Sequence, residues 1–325
     1  MPPHLDDSDL DLIAALQHAP RATHSALAEA LGMSEKTVSR RLRRLTHDGV
    51  MRVITEADLT RFSDSTPVHV EIECAAGATG RVLDELARRS DVRFAAITTG
   101  QSEIICELFP ATRSARAHVL IDDLPAIDGV LRTRSHIVLR TYRTASEWRL
   151  DRLDPSIVER LSASTPRPAN GFPKPSDNEI AVAAALTDNA RASAATLAHT
   201  TGLPDSTVYR ITNTLFARGL VSARVDVEPE LLGYHLEVLL WLAVRPGATE
   251  ELAGALIEHP NLRYVTRIAG SWQLLGQAVF VDEASLQAFL VDFLEQRPDV
   301  DRFDLSVILK VAKRYWIPRR NSTLR

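Results

Sequence analysis

The chain is short of cysteine: its 325 residues hold two, Cys74 and Cys106, far apart and without a CxxC spacing. That excludes a disulfide framework and a zinc-binding knuckle. Both lie in apolar, strand-like runs, where a thiol serves as a small buried hydrophobe. No apolar run reaches the ~18 residues of a membrane span. The N-terminal stretch MPPHLDDSDLDL is acidic and lacks the basic flank and apolar run of a secretion signal. No membrane contact is expected, and the expected compartment is cytoplasmic. Excess charge is missing as well. With a formal net charge of -4 the chain is no polycation, so any nucleic-acid surface must be a local patch. P-loop and Rossmann fingerprints are absent, as are Ser/His/Asp and Cys/His spacings. His69, His118, His136, His235 and His259 form no cluster at metal-ligand spacing. No catalytic residue, metal or cofactor is expected, and the chain reads as something other than an enzyme.

What the sequence does hold is a repeat. A shift of 170 positions takes Leu16 to Leu186, Arg21 to Arg191, Leu27-Ala28 to Leu197-Ala198 and Gly32 to Gly202. The same shift takes Thr37-Val38 to Thr207-Val208, Leu45 to Leu215, Gly100 to Gly270 and Val130 to Val300. An offset that holds over about a hundred residues implies duplication of a whole module. The proline-rich stretch SASTPRPANGFPKPS between the copies reads as a semi-rigid linker. The segment before it, 147–161, fits either a short helix or a tail packed on the first copy.

Each copy has two parts. In the first, DSDLDLIAALQHA, HSALAEAL and SEKTVSRRLRRLTHDG have helical spacing, with Thr23 and Ser34 as N-caps and Gly32 and Gly49 as stops. The second part switches to runs rich in β-branched residues, VHVEIEC, VRFAAITT, SEIICELF and VLRTRSHIVLRTY, with helical stretches between the first and second and between the third and fourth. The order is βαββαβ. The expected fold is α+β, two tandem modules, each a three-helix helix-turn-helix domain followed by a βαββαβ sandwich. The expected bounds are 1–55 and 62–146 for the first copy, 147–175 for the linker, and 176–226 and 234–318 for the second copy.

Charge separates the copies. Ser34 to Leu45 carries five cations against Glu35 alone, whereas Pro204 to Leu215 carries one of each sign, Arg210 and Asp205. Val38, Leu42 and Leu45 mark the packing face of the first helix. Lys36, Ser39, Arg40 and Arg43 fall opposite, where a recognition helix presents cations and hydrogen-bond donors to phosphates and guanine edges. The expected DNA-contacting residues are Ser34, Lys36, Thr37, Ser39, Arg40, Arg43 and Arg44, with Arg210 as the remnant in the second, weakly basic copy.

The residues Leu5-Asp6, Asp9, Leu12-Ile13, Gly32-Met33-Ser34, Thr37-Val38, Arg40-Arg41 and Gly49-Val50, then Thr99-Gly100 and Asp128-Gly129-Val130, resemble the Lrp/AsnC family of transcriptional regulators. The resemblance implies double-stranded DNA as partner and pairing through the sandwich domains, as a homo-oligomer or as a pseudo-dimer within one chain. It also implies an amino-acid or related small-metabolite effector near Thr99, Gly100 and Glu103 and near Gly270, Trp272 and Gln273. Family members usually carry an aspartate where Glu103 and Gln273 stand. An alternative resemblance is to siroheme decarboxylases, enzymes of the same fused architecture. Their HNYxR-like segment corresponds here to DVRFAAITTG and NLRYVTRIAG, which lack histidine.

Overall fold

The computed structural model describes residues 5–57, 66–162, 175–187 and 189–319. The chain divides into two compact units, each drawing on both halves of the sequence: one from within 1–63 and 149–231, the other from within 64–148 and 232–323.

The first unit is helical. Helices α1 (Asp7–His18), α2 (His24–Leu31) and α3 (Glu35–His47) begin at side-chain caps supplied by Asp6, Thr23 and Ser34. Such caps satisfy amide donors that a helix N-terminus leaves unpaired. Gly32 ends α2 at φ 65°, a left-handed turn that leads the chain into α3. Strand β1 (Met51–Ala57) follows. Downstream of α6 (Pro155–Ser162) the pattern recurs as α7 (Asp177–Leu186), α8 (Ala194–Thr201), α9 (Asp205–Ala217) and strand β6 (Val221–Val227). Val182, Leu186, Leu197, Val208 and Leu215 form the second three-helix core. Here α9 starts at Pro204 without a side-chain cap.

The two three-helix parts are joined by a β-ribbon. Strands β1 and β6 pair antiparallel along their full length, from Met51↔Val227 to Ala57↔Val221, with Ile54↔Arg224 at the centre. Arg191 donates to the carbonyls of Pro20 and Ala22 at 2.9 Å, and Arg21 stacks on Phe216. Within the stretch read as linker, residues 155–162 form a helix that packs on α1 and α2, and Arg152 pairs with Asp7 and Asp11. The proline-rich stretch 163–174 lies outside the described residues.

The second unit holds β2 (Val68–Cys74), α4 (Thr79–Arg88), β3 (Val92–Thr98), β4 (Ile104–Leu108), α5 (Arg113–His118) and β5 (Val130–Arg143). From the second half come β7 (Leu236–Val244), α10 (Thr249–Glu258), β8 (Leu262–Ile268), β9 (Leu274–Phe280), α11 (Glu283–Phe289), β10 (Val300–Arg314) and the two-residue β11 (Ile317–Pro318). The strands run β3-β4-β2-β5-β8-β9-β7-β10, and β10 returns to β3. The strands of the two βαββαβ stretches form one closed sheet, a continuity that the expected pair of sandwich domains did not specify. The reason is the length of β5 and β10. Val130 to Ile137 pairs with β2, and the remainder of β5 crosses to β8; Val300 to Val307 pairs with β7, and the remainder of β10 crosses to β3.

Alternation along the strands fills both faces. Ala95 and Ile104 join Val70, Ile72, Leu83 and Leu86 beneath the helices, whereas their neighbours Ala96 and Ile105 meet Val138, Leu239, Trp241 and Leu275 on the opposite face.

Candidate nucleic-acid interface

Helix α3 is built on one buried line. Val38, Leu42 and Leu45 pack into the helical unit at 0%, 9% and 1% exposure. The Ser34 hydroxyl accepts from the Thr37 amide at 3.1 Å and contacts its hydroxyl, which fixes the first turn. Lys36, Arg40 and Arg43 are exposed on the opposite side. Arg43 makes a 3.4 Å bond to the Ser39 carbonyl, and the Lys36 and Arg40 side chains have no partner among the described residues.

The four arginines of this helix divide into two pairs. Arg41 donates to Asp6 at 2.9 Å and to Asp9 at 2.7 Å, and Arg44 pairs with the other oxygen of Asp9. Those hydrogen bonds hold both guanidiniums above their ordinary range and the Asp6 carboxyl below its own. Asp9 is 1% exposed. Arg44, expected at the DNA face, also ties α3 to α1, because helical rotation sets Arg41 and Arg44 one turn apart on the side facing the start of α1. The signal stood in the sequence as Asp6 and Asp9, themselves three residues apart.

In α9 the buried line is Val208, Ile211 and Leu215. Ile211 occupies the place of Arg41, and Glu179, at the place of Asp9, pairs instead with Arg218 at 2.7 Å. The exposed face carries Asp205, Ser206, Tyr209, Arg210 and Asn213.

The residues of the expected effector region lie at matched turns. Gly100 and Gly270 have φ of 108° and 135°, and a Cβ on the first would lie 3.2 Å from Ser306 Oγ. The Thr99 hydroxyl accepts from the Val307 amide. Glu103 accepts the Cys74 amide at 2.8 Å, and Gln273 accepts the Val244 amide at 2.9 Å. Both side chains close the end of a strand. Trp272 lies under the Arg302 guanidinium.

Composition and spacing gave no sign of a buried polar centre in the closed sheet. Arg93 donates to Glu107 at 2.9 Å; Arg263 and Arg314 donate to Glu237 at 2.9 and 3.0 Å; Tyr264 lies 3.2 Å from His69. A cavity of about 40 Å³ borders this network. Burial lowers the His69 pKa to about 4 and raises that of Cys106 to about 12. Among the described residues no group of three or more His, Cys, Asp or Glu is placed to hold a metal, and no helix is long and apolar enough to cross a membrane.

Residues 5–46 match the model of the AsnC-type helix-turn-helix domain, and residues 68–148 and 237–316 each match that of the Lrp/AsnC ligand binding domain. The chain belongs to the Lrp/AsnC family. Residues 180–224 match a further model, the IclR helix-turn-helix domain. Among curated relatives, the HTH-type transcriptional regulator FL11 of Pyrococcus horikoshii is 26% identical over 144 residues, 44% of this chain and 95% of the relative. The HTH-type transcriptional regulator LysM of Sulfurisphaera tokodaii is 27% identical over 145 residues, 42% of this chain and 97% of the relative. Each relative therefore spans less than half of this Lrp/AsnC chain. Among solved structures, the siroheme decarboxylase NirDL aligns over 98% of this chain and 94% of its own, with a TM-score of 0.61 and 11% identity. That likeness is one of fold.

Proposed function

We propose that the chain is a sequence-specific DNA-binding transcriptional regulator in which one polypeptide supplies both helix-turn-helix modules and both sheet modules of a family pair. The observation that carries this reading is the exposed row Lys36, Arg40 and Arg43 on α3, opposite its buried line. Cations so placed are free to neutralise phosphates and reach guanine edges. The duplicated sequence and the β1–β6 pairing support a pseudo-dimer within the chain. The work of such a regulator lies in the cytoplasm. An amino acid or related metabolite bound at the Thr99–Gly100 and Gly270–Trp272 turns would act by binding one assembly state better than another. Glu103 and Gln273 are already engaged with strand-end amides, so the turns and Trp272 would carry that contact. A gel-shift against the DNA upstream of the chain's own gene tests the reading: a discrete, salt-sensitive complex supports it, and no complex at any salt concentration refutes it.

The likeness to NirDL over nearly the whole chain favours a second reading, a siroheme decarboxylase-like enzyme. Against it, the 91–100 and 261–270 segments carry no histidine. A Soret band retained after mixing with siroheme and desalting would favour the enzyme.

A further inference from the structure

Four outward positions of α3 and α9 correspond through the repeat: Lys36 with Ser206, Ser39 with Tyr209, Arg40 with Arg210, and Arg43 with Asn213. Three of the four are cations in α3 and one is in α9. The α9 set is not an eroded copy of the other. Tyr209 is 64% exposed, and no side chain of the α9 set has a hydrogen-bond or ion-pair partner among the described residues. An amide, a phenol and a hydroxyl exert little pull on a phosphate chain across solvent. At close range the set can also read base edges: an asparagine pairs in bidentate fashion with adenine N6 and N7, and an arginine does so with guanine O6 and N7. Cations on phosphates give affinity that carries no sequence information.

The pairing of β1 with β6 places both helices in one compact unit, about an approximate two-fold through Ile54↔Arg224. Two-fold helix-turn-helix pairs meet successive turns of one duplex. Once α3 is held on phosphates, α9 therefore meets the same duplex as an intramolecular event, and contacts too weak to recruit DNA alone become effective.

We propose that the two helices divide recognition, α3 holding the duplex and α9 reading it. The operator then carries its sequence on the α9 side, which contains an adenine for Asn213 and a guanine for Arg210. This inference rests on the DNA-binding reading above.

The test uses full-length protein, a random-duplex pool for selection, and one scrambled duplex for affinity. Wild type should enrich a sequence confined to one half of the protected site. The exposed pair Tyr209→Ala and Asn213→Ala should leave the melting temperature, the affinity for scrambled duplex and its salt dependence unchanged. It should also erase the sequence of one half and weaken binding to the selected site by roughly ten- to a hundredfold. Enrichment of the full wild-type site by the double variant would overturn the proposal. So would a loss on scrambled DNA as large as that of Arg40→Ala with Arg43→Ala, which would make α9 a second phosphate clamp. Failure of wild type to bind any duplex would remove the DNA reading itself, a result distinct from both.

Discussion

Ile54 and Arg224 are partners across the β1–β6 ribbon, and they are also one position of the two sequence copies, 170 residues apart. An antiparallel pairing centred on equivalent positions is the signature of a two-fold. The closed sheet obeys the same rule: Val138 pairs with Ile268 and Ile308 pairs with Thr98, pairings that the 170-residue shift exchanges. One chain thereby achieves what a symmetric dimer achieves, while each copy is free to change its surface. The exposed faces of α3 and α9 differ accordingly.

Arg40→Ala combined with Arg43→Ala should weaken binding to operator and to scrambled duplex alike, by roughly tenfold or more, because both cations hold phosphates that carry no sequence information. Arg210→Ala should change affinity for scrambled duplex much less. Fluorescence anisotropy on operator and scrambled duplexes checks both. Equal losses on scrambled DNA would remove the division between copies.

Asp9 should act on stability. Its buried carboxylate receives Arg41 and Arg44. Asp9→Asn weakens both pairs and costs on the order of 2 kcal/mol, less than a fully buried pair because Arg44 is 43% exposed. Urea unfolding of the variant should show a lower midpoint. An unchanged midpoint would mean that the pairs add nothing to stability and that Arg44 remains available to DNA.

His69 predicts an acid-labile sheet unit. The unfolded chain takes up a proton at this side chain below about pH 6.5, whereas burial holds the folded imidazole neutral down to about pH 4. Between those values the unfolded state binds more protons, so stability falls as pH falls. The contribution is fully present above pH 6.5, and its loss amounts to on the order of 3 kcal/mol by pH 4. Chemical denaturation of wild type and His69→Gln across pH 7 to 4 should show a smaller acid-dependent loss in the variant. Parallel profiles would contradict the assignment.

Gly129 should not tolerate alanine. Its φ is 96°, and a Cβ there would lie 2.4 Å from Ala78 Cβ. Gly129→Ala should destabilise the sheet unit by roughly 2 kcal/mol or more, from backbone strain together with overpacking. Denaturation midpoints measure this directly.

The helices and strands were legible because their signals are local: Thr23 and Ser34 as caps, Gly32 as a stop, and alternation through Val68 to Cys74. The closed sheet was not, because β5 and β10 read as ordinary strands, and nothing local says that their second halves leave their own module. The β1–β6 ribbon escaped for the same reason. In the candidate site, periodicity separated Lys36, Arg40 and Arg43 from the buried line. It could not separate Arg44 from Arg43, because that distinction depends on Asp6 and Asp9, some thirty-five residues away. The polar centre around Glu237 and Glu107 draws on strands of both halves, so no window along the chain contains it.

The central claim is that the exposed cations of α3 hold a DNA duplex. The most direct measurement is the slope of log affinity against log salt for wild type and for Arg40→Ala with Arg43→Ala on one duplex. Each phosphate contact contributes about 0.9 to that slope. The account predicts a steep wild-type dependence that falls by up to about 2 in the double variant, with weaker binding at every salt concentration. A salt-independent wild type, or a double variant with the wild-type slope and affinity, would contradict it.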